Sequence, residues 1–164
     1  MNSQIEQVDQ LTREAVREVF LGMLSMKVEP EPPSPLAADP AGEIIGSVAF
    51  IGEATGIIYL YAGMGFATVI TSRLLGISVR DVDGGEMVTD AIGELSNMVA
   101  GCVKSRLCDR GWRCALTFPS VVRGQQLSVE RPAHTTRRVI GFRNSQCHFL
   151  AEVALSENPI AKQL

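Results

Sequence analysis

The run Asp83-Gly84-Gly85-Glu86-Met87-Val88-Thr89-Asp90-Ala91-Ile92-Gly93-Glu94-Leu95-Ser96-Asn97-Met98-Val99-Ala100-Gly101-Cys102 decides how this chain is read. At about 100° per residue, Met87, Val88, Ala91, Leu95, Met98, Val99 and Cys102 form one apolar stripe. The spacing predicts an amphipathic helix from Gly84 to Asp109, stopped by Gly111. Asp83 followed by Glu86 predicts a capping box at its start. Asp90, Glu94 and Asn97 stand at i, i+4 and i+7, on the far side from the stripe, and Gly101 continues their row. Gly93 and Ser96 keep the neighbouring positions small. Each helical glycine costs about 1 kcal/mol relative to alanine, so stability alone does not explain this face. Any amphipathic helix has a polar side, however, and the spacing leaves both a solvated face and a docking face open.

Upstream, Ile5, Val8, Leu11, Ala15, Val16, Val19, Phe20, Met23 and Leu24 predict a first helix from Ile5 to Met26. The stretch Glu29 to Gly42 holds five of the eight prolines and reads as a loop without regular structure. Ile44 to Ile51 and Ile57 to Ala62 read as strands joined by the hairpin loop Gly52 to Gly56. Met64 to Leu75 reads as a short helix ended by Gly76. Downstream come four β-rich segments: Arg113 to Phe118, Gln125 to Glu130, Arg137 to Phe142 and Cys147 to Leu155. Pro132 and Asn144-Ser145 mark turns, and the tail from Glu157 is polar and expected to fray. Segregated runs of helices and strands imply an α+β fold, long helices packed on one face of a mostly antiparallel sheet. A helix followed by strands occurs twice, which suggests a degenerate internal repeat. At 164 residues, one domain spanning 1–164 is expected.

Composition narrows the function. The hydrophobic fraction of 46% supports a sizeable core, and 5% aromatics make that core mainly aliphatic. A net charge of −3 gives no general attraction to nucleic acid, and Arg137-Arg138 reads as the solvated part of a strand or turn. The apolar runs are too short to span a membrane, and Met1 to Gln10 lacks the layout of a signal peptide. A soluble cytoplasmic protein is expected. Cys102, Cys108, Cys114 and Cys147 have no zinc-type spacing, and His134 and His148 lie fourteen apart. Buried, reduced thiols and no metal site are expected.

The row Asp90-Ala91-Ile92-Gly93-Glu94-Leu95-Ser96-Asn97 resembles the signature helix of the CheC, CheX and FliY chemotaxis phosphatases. That signature is completed downstream by a proline, and Pro119 in Thr117-Phe118-Pro119-Ser120 stands in its place. Twenty-one residues separate Pro119 from Asn97, one fewer than the usual pattern. Met23 to Pro30, the hairpin Ile44 to Ala62, Thr117 to Gly124 and the final strand pair are similar to CheX in order and character. Gln10, Glu14 and Arg17 repeat the spacing on the first helix, with Arg17 in place of the amide, so a repeat would carry one site.

The resemblance implies a CheC-like two-layer fold and an aspartyl-phosphate phosphatase acting on a CheY-like response regulator. It implies Glu94 and Asn97 as catalytic residues, supported by Asp90 and Pro119, with Asp90 steadying its helix or a neighbour. No cofactor of the chain's own is implied, because the regulator supplies Mg2+ and a lysine. A homodimer joined through sheet edges is also implied. The rival readings are a non-catalytic CheX-like adaptor or flagellar-switch relative that binds a regulator, and an unrelated α+β dimer whose polar triad is simply solvated.

Overall fold

The apolar spacing of the first residues folds as α1 (Asn2–Leu24), which buries Ile5, Val8, Leu11, Ala15, Val16 and Phe20 completely. Met23, expected in that stripe, is instead half exposed at the helix end. The computed structural model describes residues 2–32, 40–130 and 133–157. Most of the Pro-rich loop (33–39), the turn at Pro132 and the tail after Glu157 lie outside the described residues. Five further elements carry the chain to the motif: β1 (Glu29–Pro30), β2 (Gly42–Gly52), β3 (Gly56–Ala62), α2 (Met64–Leu75) and α3 (Glu86–Asp109). β4 (Cys114–Leu116), β5 (Ser120–Leu127), β6 (Thr135–Arg143) and β7 (His148–Ser156) follow.

Among the described residues every strand pairing is antiparallel. The order is β1-β6-β7-β3-β2, with β4 and β5 sharing the outer edge of β2. The helices contact each other, with α1 over β6 and β7 and α3 over β2. Phe149 anchors this layer, stacked on Phe20 at 4.6 Å, Phe142 at 5.2 Å and Phe66 at 5.5 Å between ring centres. The fold is α+β, as the periodicities imply. The repeat is also visible in the topology. Each half runs long helix, edge strand, hairpin; β3 meets β7 at the centre, and each edge strand crosses to the other half's hairpin, β1 to β6 and β5 to β2.

Three readings of the sequence change. Glu29–Pro30 is a strand rather than irregular loop, pairing with Phe142 and Arg143. Proline is tolerated there because β1 is a sheet edge. The segment expected from Gln125 to Glu130 begins earlier, at Ser120, because Ser120 to Arg123 pair with Ile44 to Ser47. β5 is exposed along most of its length, so it lacks the alternation that marks a half-buried strand. Arg137 is not solvated: on the sheet face away from the helices its Nη1 donates to Glu152 Oε1 at 3.3 Å. Tyr61 donates to the other oxygen of this buried carboxylate at 2.7 Å. Burial, then the bond to Glu152, pushes the Tyr61 hydroxyl well above the ordinary phenol range. The carboxylate is thus buried with partners, which such a charge requires.

Candidate functional site on the second long helix

α3 starts two residues later than a capping box on Asp83 would place it. Its N-cap is Gly85, without a side-chain cap bond, and Asp83 Oδ1 accepts from the Gly85 N–H at 3.1 Å. Asp83 therefore closes a local turn instead of capping the helix. Arg123 on β5 ties this end down by donating to the Gly85 carbonyl at 3.0 Å.

The buried side of α3 is turned from the expected stripe toward Ile92, Ser96 and Val103. Val88, Leu95, Val99 and Val103 are fully buried, whereas Met87 is 40% exposed and Cys102 half-buried. Ser96 belongs to the core: it donates to the Ile92 carbonyl at 2.7 Å, and a Cβ on Gly46 of β2 would come within 2.1 Å of its Oγ. A glycine is needed there because helix and strand touch. The rotation leaves the row Asp90, Glu94, Asn97 and Gly101 opposite the sheet. Asp90 and Glu94 are exposed, and Asn97 and Gly101 are half-buried.

No described residue gives a hydrogen bond or ion pair to the side chains of Asp90, Glu94 or Asn97. Gly93 is covered by the start of β5 and the proline before it, where a Cβ would lie 3.4 Å from Val121 and 4.0 Å from Pro119, ordinary contacts. A Cβ on Gly101 would meet nothing within 4 Å. Neither glycine in the motif face is demanded by the chain's own packing.

The fold brings Pro119 to the motif despite its shortened spacing. Pro119 and Val121 line a shallow depression of about 310 Å3 with Thr89, Asp90, Gly93 and Glu94. Asp90 and Glu94 also form the rim of a second groove, about 410 Å3, whose floor is largely apolar and includes Met23, Leu75, Met87 and Met98. The two carboxylates thus line both hollows. The groove was not legible in sequence, because its methionines come from two helices distant in the chain. Phe118 was read as the end of a β-rich segment, yet the strand stops at Leu116 and Phe118 is 95% exposed. The signal was the proline beside it, which interrupts the strand.

The matching positions on α1 are consumed internally. Gln10 donates to Glu14 at 2.8 Å, Arg106 of α3 pairs with Glu14 and Glu18, and Arg17 pairs with Glu29 at 3.4 Å. The thiols are free and half-buried, not fully buried as expected. Burial pushes Cys102, Cys114 and Cys147 above the usual thiol range, so none of these three is primed as a nucleophile. Among the described residues no group of three or more His, Cys, Asp or Glu side chains could hold a metal ion, and no helix is long and apolar enough to cross a membrane.

A family model described as chemotaxis phosphatase CheX matches residues 44–143, the hairpin through β6 and the whole of α3. The chain belongs to the CheX family. No curated protein matches it significantly in sequence. Its fold is similar to crystal structures of CheX from Desulfovibrio desulfuricans, with a TM-score of 0.81 and 22% identity over 92% of this chain and 99% of that one. CheX from Vibrio vulnificus gives 0.80 and 22% over the same shares. A CheX–CheY–BeF3–Mg2+ complex from Borrelia burgdorferi gives 0.73 and 19% over 90% and 97%. CheX-family membership accounts for the layered fold.

Proposed function

We propose that this CheX-family chain hydrolyses the aspartyl-phosphate of a CheY-like response regulator at the exposed face of α3. The observation that carries the reading is the row Asp90, Glu94, Asn97: unpaired within the described residues, beside glycines that the chain's own packing does not require. Side chains left unbonded next to small residues suit a surface that completes another protein's site. The CheX neighbour solved with CheY supports that class of partner.

An aspartyl-phosphate is an acyl phosphate, activated already and held by the regulator's own Mg2+ and lysine. What it lacks is a water held in line with the scissile P–O bond. Phosphoryl transfer is catalysed chiefly by positioning and electrostatics, so a single amide can supply much of the effect. The Asn97 carbonyl accepts from the attacking water while its NH2 donates nearby. The water oxygen bonds to phosphorus, the bond to the aspartyl oxygen breaks, and inorganic phosphate leaves a free carboxylate. Glu94, one turn earlier, pairs with the regulator's lysine and fixes the docking register. Asp90 and Pro119 frame the hollow without touching the reacting atoms.

The chain acts in the cytoplasm with its regulator and pairs as a homodimer through sheet edges, leaving α3 accessible. Turnover is tested by adding purified protein to CheY-type receiver domains phosphorylated with a small-molecule phosphodonor. Faster phosphate release from at least one receiver is expected. Tight binding without acceleration of any receiver would move the chain to the adaptor reading.

A further inference from the structure

Phe118 is 95% exposed, the most exposed of the large apolar side chains on the described surface. Isolated apolar residues on a surface are ordinary, but the backbone that carries this one is held on both sides. Before it, the Thr117 N–H donates to the Ala49 carbonyl at 2.9 Å, and Thr117 Oγ1 accepts from the Ala49 N–H at 3.0 Å. After it, Pro119 limits the backbone, and Ser120 pairs with Ser47. The ring therefore projects from a two-residue step fixed to β2 at both ends. It is not the tip of a loose loop.

The step runs alongside the candidate site. Arg123 reaches Gly85, and Val121 and Pro119 both approach Gly93. β5 thus runs antiparallel to α3, and one residue further back from Pro119 is Phe118, on the side of Gly93 toward Asn97. A large, solvated ring on a held backbone, one residue from the Pro119 that lines the hollow with Asp90 and Glu94, has the make-up of an interface anchor: an apolar centre with polar groups around it. Its backbone already being held lowers the ordering cost of binding.

We infer that Phe118 is the apolar anchor by which the phosphorylated receiver domain is gripped next to Asn97. This rests on the proposed function and adds the contact that supplies affinity, where Glu94 supplies register and Asn97 chemistry. The receiver would present an apolar patch adjoining its phosphorylated aspartate, and the ring would leave water on docking.

The test measures the affinity of the full chain for a CheY-type receiver domain activated with beryllofluoride and Mg2+. Phe118→Ser and Phe118→Leu are compared with the wild-type protein. Phe118→Ser is expected to weaken binding by about 10- to 100-fold, the range for removing a central aromatic anchor. Phe118→Leu should recover part of the loss. KM for the phosphorylated receiver should rise while kcat holds, with melting temperature and oligomeric state unchanged. Unaltered affinity in Phe118→Ser would overturn the anchor and leave the phosphatase reading standing. A lowered melting temperature, or a shift from dimer to monomer, would overturn it too, assigning the ring to folding or to a contact between copies. No binding of the activated receiver by the wild-type chain would remove both the anchor and the reading beneath it.

Discussion

The row Gln10, Glu14, Arg17 on α1 repeats the spacing of Asp90, Glu94 and Asn97 on α3, yet of the two glutamates only Glu14 is engaged among the described residues, by Gln10 and Arg106. The repeat has kept the spacing on both helices and left one row unbonded. Glu94→Ala should raise KM for the phosphorylated regulator with little change in melting temperature, since the position is exposed. If a lysine is its partner, the wild-type KM should rise with ionic strength while that of the variant stays flatter, because screening removes only an interaction that exists. Steady-state kinetics across a salt series checks both. Asp90→Ala should affect turnover less than Glu94→Ala or Asn97→Ala. The buried pair on the other sheet face behaves differently. Tyr61→Phe takes a donor from Glu152 and should cost about 1–3 kcal/mol of stability, visible in urea unfolding.

At the level of elements, the helices and the central strands were legible because their apolar residues repeat with clear periods and their ends carry glycine or proline. β1 and β5 were not, because edge strands bury little and so alternate weakly. The direction of the polar row on α3 was legible, whereas the membership of its buried side was off by a partial turn. Met87 and Ser96 exchange roles once Gly46 lets the helix settle onto β2, a contact between residues fifty apart that no local pattern reveals. Gly101, by contrast, faces open space. Gly101→Ala should stabilise α3 by up to about 1 kcal/mol, a rise in melting temperature of about 2–4 °C. It should nonetheless weaken productive docking, since the methyl group stands where a partner must approach. Calorimetry and receiver affinity measured on the same variant separate the two effects.

For the whole molecule, the pseudo-two-fold sheet ends in β1, only two residues long beside β6, and in the exposed strand β5. Open edges of this kind favour pairing with another chain, and the helices lie on one face, so edge-to-edge assembly need not cover α3. Light scattering should therefore report about twice the 17.7 kDa chain mass at micromolar concentration. A species of the chain mass alone would contradict the dimer, and a dimer that buries Asn97 would contradict the phosphatase reading as well.

The proposed hydrolysis turns on Asn97 holding the attacking water. The direct measurement is loss of radiolabelled phosphate from the regulator with wild-type chain and with Asn97→Ala, both shown to be folded by thermal melting and both shown to bind the beryllofluoride-activated receiver. The account predicts that Asn97→Ala binds the receiver and melts as the wild type does but loses most of the acceleration. Full phosphate release by a folded Asn97→Ala chain would contradict it.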